Sequence, residues 1–309
     1  MNTKTLVVFP YSGYDPSNPD GKLRERIFWK VVECCQLVDF EKNPLIVLNR
    51  DTERRDEGNR VRAFYNGLQE HKVDEKFILK VWSVDTCQMW LAGWGYILDN
   101  YQNQVDRIVQ VPGDIDTVQD ETTFFDNLEH FIGYTRNDLN IGDFSTGERF
   151  GAKDLIDQYG TYALLANWFP EITKKILGLP LRRPRSEFLN IDKQLLSKLL
   201  EKRKFAYEQT LNILILSWDF IKKDFKYRIK PFDLGELKDD ASYRKYRDCL
   251  DQIERTERML RLLWREIEGF TGNPAQEELI NKYDRLDRRS TAIRENARII
   301  IRNLLDIQV

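Results

Sequence analysis

Between Asp106 and Asp116 the chain reads Asp-Arg-Ile-Val-Gln-Val-Pro-Gly-Asp-Ile-Asp, an apolar run that ends on two carboxylates spaced i, i+2. At the end of a strand, such a pair can turn oxygens onto one hard divalent cation. The cation keeps open positions for phosphate oxygens and offsets the charge that builds on a departing diphosphate. This is the only Asp-x-Asp in the chain, although composition alone would produce about one or two. Position therefore carries the reading, because the pair closes an apolar run and acid-rich sequence follows it. Gly113 and Asp114 are also ordinary turn residues, so a plain strand-to-loop turn is the competing interpretation.

For the pair to do chemistry, a sheet must bring it beside other polar strand ends. Leu6–Phe9, Leu45–Leu48, Phe77–Val84 and Ile108–Val111 are short β-branched or aromatic runs, each separated from the next by a segment of helical length. Leu23–Leu37, Arg60–Leu68 and Gln88–Leu98 carry apolar residues at helical spacing and read as crossover helices. That alternation predicts a parallel sheet. Ligands of such sheets sit at the carboxyl ends of the strands, where Pro10-Tyr11-Ser12, Asn49-Arg50-Asp51, Asp85 and Asp114/Asp116 would converge. Tyr11, beside Pro10 at a strand end, is an aromatic suited to covering a nucleotide base.

Composition bounds the function. The 309 residues are 41% hydrophobic and 32% charged with a net charge of −2, so a sizeable core is expected under a surface of mixed sign. No global basic face advertises nucleic-acid binding. Cys34, Cys35, Cys87 and Cys249 show no CxxC spacing and read as reduced core thiols, and with only His71 and His130 a His-rich zinc site is excluded. No run approaches the ~18 apolar residues of a membrane span, and the chain opens on a strand-like Thr-Leu-Val-Val-Phe rather than a signal sequence, so a cytoplasmic protein is expected.

Past the pair, Phe124–His130 reads as a short helix, Phe131–Tyr134 as a strand and Asp154–Leu177 as a long apolar helical segment. Trp168, Phe169, Tyr159 and Tyr162 within that segment could stack on a sugar, but their helical spacing among Leu and Ala marks them first as core, as it does Trp90 and Trp94. The span 178–190, with Pro180, Pro184 and three arginines, reads as an active-site loop. Helices near 192–202 and 205–218 follow. The expected organisation is an α/β catalytic domain over 1–221, a charged linker over 222–240 and a helical hairpin over 241–309. In the second hairpin helix Leu279, Tyr283, Leu286, Ser290, Ile293, Ala297, Ile300 and Leu304 form a heptad seam interrupted by Ser290 and Ala297. The seam serves either packing on the preceding domain or homo-oligomerisation.

The order of these pieces resembles the GT-A fold of nucleotide-sugar glycosyltransferases over roughly residues 4–220, closest to the branch of dolichyl-phosphate mannose synthase, with some likeness to mannosylglycerate synthase. Four pieces carry the resemblance: Leu6-Val-Val-Phe-Pro-Tyr11, the small-residue helix Ala92-Gly93-Trp94-Gly95, Ile108–Asp116, and Leu177-Gly-Leu-Pro180 through Ser186-Glu-Phe188 with Phe205-Ala-Tyr-Glu208. The chain departs from that branch at Asn49-Arg50-Asp51, where an Asp pair is usual, and at Arg183 and Glu187 in the loop.

The resemblance implies an α/β architecture, a mostly parallel sheet flanked by helices, and transfer of a sugar from a UDP- or GDP-linked donor to an unidentified acceptor hydroxyl with Mn²⁺ or Mg²⁺. It implies that Asp116 binds the metal directly, and that Asp114 contacts the ribose, or the metal through water. Asp51 and Asp85 could accept bonds from base or ribose. Arg182, Arg183 and Arg185 could clamp a diphosphate or an anionic acceptor bidentately. For an inverting transfer, Glu187 or Glu208 would take the acceptor's proton; a retaining transfer needs no such base. The departures leave one rival from another class, a non-catalytic interaction protein acting through its C-terminal helices.

Overall fold

The structure, a computed structural model, describes residues 4–11, 19–37, 44–49, 59–82, 86–113, 115, 118–145, 152–179, 181–201, 213, 215, 217, 228–236 and 243–304. Within them the chain divides into two compact units. One comprises Met1–Phe144, Ser186–Glu201 and Tyr227–Glu236, the other Ser145–Arg185, Lys202–Lys226 and Leu237–Val309.

The first unit starts with β1 (Thr5–Tyr11), buried over its first six residues, as a strand covered on both faces must be. There follow α1 (Pro19–Leu37), β2 (Leu45–Asn49), α2 (Asn59–Glu70), β3 (Ile78–Val81), α3 (Thr86–Tyr101), β4 (Arg107–Gln110), α4 (Glu121–Gly133) and β5 (Leu139–Ser145). Later segments add β6 (Leu189–Asp192), α8 (Lys193–Glu201) and β7 (Ile229–Glu236). The strands form one seven-stranded sheet in the order β3-β2-β1-β4-β6-β5-β7. The four strands read from sequence are parallel, with Val8 opposite Leu45, Ile46 opposite Ile78 and Val8 opposite Gln110. Strand β6 runs antiparallel to both β4 and β5.

Gly93 explains the small-residue helix. A Cβ there would lie 2.9 Å from Val8 Cγ1 and 3.1 Å from Val47 Cγ2, so its absence lets α3 settle onto β1 and β2, whereas Gly95 faces nothing within 4 Å. Trp90 and Trp94 are core residues, as their spacing implied, and Cys34, Cys35 and Cys87 are buried. At the antiparallel side, Arg107 Nε donates to Asn190 Oδ1 (2.7 Å) and its Nη2 to the Asn190 carbonyl (3.1 Å). Asn190 Nδ2 donates in turn to the carbonyls of Phe131 and Tyr134. These buried polar groups are satisfied only when β4, β6 and the end of α4 are in register.

Two expectations are corrected. Residues 131–134 close α4 rather than form a strand, because Phe124, Leu128, Phe131 and Ile132 share one buried helical face. Their aromatic content signalled β, and the 3.6-residue spacing prevailed. The charged stretch expected as a linker contains β7, whose Phe232 packs on Phe131 and Tyr134 and whose Leu234 is fully buried. An edge strand with one buried face alternates with charged residues, so composition concealed it.

In the second unit α5 (Ala152–Leu155) runs through a π-helical turn at Ile156–Thr161 into α6 (Tyr162–Trp168), and Pro170 opens α7 (Pro170–Leu177) after a break at Phe169. The hairpin is α9 (Tyr243–Ile267) and α10 (Glu277–Leu304). Trp168 is 2% exposed and lies among Trp264 and Tyr283, with ring centroids 6.0 and 5.7 Å away. Its Nε1 donates to Ser290 Oγ at 3.1 Å, while Asn167 Nδ2 donates to the Leu286 carbonyl. The polar interruption of the heptad is therefore the most buried part of the seam, facing α6 within its own unit. Glu257, 1% exposed, ties the hairpin together by accepting from Arg261 and Arg294, both at 2.9 Å.

Candidate functional site

The carboxyl edge of the parallel strands is where the sequence placed its site, and the frame on both sides of the Asp pair is now visible. After β4, the Val111 N–H donates to the Val8 carbonyl at 3.1 Å, so the chain still tracks β1 as it leaves the ladder. At Gly113 the backbone passes directly over the end of β1. A Cβ would stand 2.5 Å from the Pro10 carbonyl oxygen and 3.1 Å from the Phe9 ring, so only glycine fits. Beyond the pair, Val118 is buried and the Gln119 N–H donates to the Glu236 carbonyl at the end of β7.

Asp120 caps α4. Its carboxylate accepts from the Thr123 hydroxyl (2.7 Å) and from the backbone N–H groups of Thr122 and Thr123, and these bonds, the Thr123 hydroxyl first, hold its pKa below the usual carboxylate range. The acid-rich sequence after the pair is thus in part a helix start. Asp114 and Asp116 themselves lie outside the described residues, as do Ser12, Asp51, Asp85 and Glu208. Among the described residues no group of three or more His, Cys, Asp or Glu could hold a metal ion. By residue type, the two carboxylates that follow this glycine in sequence are the oxygen donors a hard divalent cation takes.

Of the remaining candidates, Pro10 and Tyr11 end β1 beside this turn. The Tyr11 ring stacks on Phe64 at 4.1 Å and tilts against Phe28. Glu187 comes to the same edge by a contact no local pattern signalled: Gln110 Nε2, on the last residue of β4, donates to the Glu187 carbonyl at 2.7 Å. Because Gln110 pairs with Leu189, Glu187 sits just outside the ladder at the end where β4 runs toward the Asp pair.

The arginine loop belongs to the second unit, and its residues diverge. In place of the expected clamp, Arg183 is 4% exposed and its guanidinium meets Asp154 at 2.9 Å and Asp157 at 3.6 Å. Burial pushes the Asp157 carboxyl up to about 6, outweighing the attraction of Arg183 and Arg185 and the hydrogen bond from Thr161. Arg185 Nη1 donates to Gln252 on α9 at 3.1 Å. Arg182 alone of the three is exposed, lining a cavity of about 310 Å³ with Asp154, Asp157, Gln158, Tyr162 and Leu177. The Tyr162 hydroxyl donates to the Leu181 carbonyl at 2.6 Å and fixes the loop's start. The i, i+3 spacing of Asp154 and Asp157 was the one sequence signal for this buried network.

No protein-family profile and no curated protein sequence matches the chain. Solved structures do. Glucosyl-3-phosphoglycerate synthase from Mycobacterium tuberculosis in complex with phosphoglyceric acid superposes with a TM-score of 0.51 at 15% identity, covering 85% of this chain and 80% of that one. The same enzyme with Mn²⁺, UDP-glucose and phosphoglyceric acid, and with Mg²⁺ and UDP, gives 0.50 at 15% identity, covering 85% and 79% in each case. At that identity the likeness is one of fold. With its β3-β2-β1-β4-β6-β5-β7 sheet, its flanking helices and these neighbours, the chain has the GT-A fold of nucleotide-sugar glycosyltransferases.

Proposed function

We propose that this chain is a cytoplasmic, metal-dependent glycosyltransferase that moves a sugar from a UDP- or GDP-linked donor to an acceptor hydroxyl. The observation that carries the reading is the passage of β4 across the end of β1 at Gly113 straight into Asp114-Ile-Asp116. The solved neighbours on this fold, held with Mn²⁺ or Mg²⁺ and UDP or UDP-glucose, support it.

Asp116 would hold the cation directly and Asp114 the donor ribose, or the cation through water. A bound Mn²⁺ or Mg²⁺ supplies positive charge where the leaving diphosphate gathers its negative charge. Gly113 brings the chain against the Pro10 carbonyl immediately before this pair, which supports a defined starting point for the segment that carries it. Glu187, anchored through its carbonyl by Gln110, is one candidate to take the acceptor's proton in an inverting transfer, and Glu208 is the other. An anionic acceptor is favoured by the phosphoglyceric acid held by a neighbour of this fold.

The test is calorimetric titration of the full chain with UDP and with GDP, in Mn²⁺ and in chelator, for wild type and Asp116→Asn. Binding should require the metal and be lost in the variant. Nucleotide affinity indifferent to chelator and to Asp116→Asn removes the mechanism.

A further inference from the structure

We infer that Trp82 is the surface on which the base of the donor nucleotide stacks. The inference rests on the glycosyltransferase reading and adds to it the residue that holds the base. Strand β3 ends at Val81, which pairs with Asn49, the last residue of β2, so Trp82 emerges at the same carboxyl edge as Tyr11 and Gly113. It is 58% exposed. Among the described residues the other exposed large apolar side chains, Leu177, Leu262, Ile299 and Leu304, all belong to the second unit. A single apolar side chain in water is common on any surface, so its position has to carry the argument.

The position fits the length of a nucleotide. Along the sheet the order is β4, β1, β2, β3, so three interstrand steps of about 4.8 Å, or roughly 14 Å, separate the strand that delivers the Asp pair from the strand that delivers Trp82. That distance is comparable with the reach of an extended nucleoside diphosphate from terminal phosphate to base. A diphosphate anchored beyond β4 and laid over the ends of β1 and β2 brings its base to the end of β3. The aromatic at the end of β1 is committed to packing, since Tyr11 lies stacked on Phe64. An indole presents the largest π face of any side chain, and stacking accepts any base because every base has a face.

The experiment measures binding of UDP, of GDP and of inorganic pyrophosphate, each with Mn²⁺, to full-length wild type, Trp82→Ala and Trp82→Phe. Trp82→Ala should weaken both nucleotides by about ten- to a hundredfold, leave pyrophosphate affinity unchanged, and be largely rescued by Trp82→Phe. Unchanged pyrophosphate binding also reports that the variant is folded. Nucleotide affinity in Trp82→Ala equal to wild type overturns the assignment and leaves the transferase reading standing, and so does an equal loss of pyrophosphate and nucleotide in Trp82→Phe. A wild-type chain that binds neither nucleotide with Mn²⁺ removes both.

Discussion

Replacing Gly113 by alanine tests whether the contact with β1 sets the position of the Asp pair. The new Cβ would lie 2.5 Å from the Pro10 carbonyl oxygen. The obstacle is backbone of a buried central strand, so no side chain can swing aside. Ordinary contact begins near 3.4 Å, and relief therefore requires the turn to lift by about 0.9 Å. A catalytic carboxylate tolerates displacement of about 0.5 Å, and a misplacement of about 1 Å costs on the order of a hundredfold in rate. Gly113→Ala should lower Mn²⁺-dependent turnover, or nucleotide affinity, by about ten- to a hundredfold, while overpacking costs about 1–3 kcal/mol of stability. Calorimetric titration and chemical denaturation of the same samples separate the two effects. Gly95→Ala is the control: its Cβ meets nothing within 4 Å, so it should bind normally and be stabilised by about 0.5–1 kcal/mol. Wild-type binding and turnover by Gly113→Ala would refute the claim that this close approach sets the site.

Two further outcomes follow from the second unit. Between 3.8, the ordinary aspartate value, and about 6, the native protein keeps a proton on Asp157 that the unfolded chain has released, so this group makes stability fall as pH rises through that window. Asp157→Asn mimics the protonated acid. The stability of wild type relative to the variant should therefore drop by about 2 kcal/mol from pH 4 to pH 6 and level off about one unit above; a difference that is flat with pH contradicts the assignment. Ser290→Leu would perfect the heptad, yet it should lower the unfolding free energy by about 2–4 kcal/mol, and the denaturation midpoint with it, since leucine overfills the site and strands the Trp168 N–H. A raised midpoint would mean that the seam is an open coiled-coil face.

The parallel half of the sheet was legible because each strand and crossover helix advertises itself over a short window. Leu6–Phe9, Leu45–Leu48 and the Ile108-Val109 pair are buried and so read as apolar runs. The edge strand was not legible, because Ile229–Glu236 buries only Ile229 and Leu234 and carries charges between and around them. The same limit applied to the site. Glycine before the Asp pair looked like a turn residue, and its contact with Pro10, 103 positions away in sequence, was invisible. Arg183 read as a ligand clamp because its charge is a local fact, whereas its burial against Asp154 and Asp157 is a tertiary one.

By itself, then, the chain's order of residues determined which segments of the parallel half become strand and helix, and that those four strands run parallel. These follow from periodicity and from the handedness of crossovers, both of which act over neighbouring residues. Only the tertiary structure decided that Gln119 bonds to the end of β7 past the Asp-bearing segment, that Gln110 brings Glu187 to that edge, that Arg183 is consumed in a buried ion network, and that Trp82 is more than half exposed. Each of those depends on which distant groups exclude solvent from a side chain or leave it exposed, and desolvation is a property of the assembled fold rather than of any stretch of sequence.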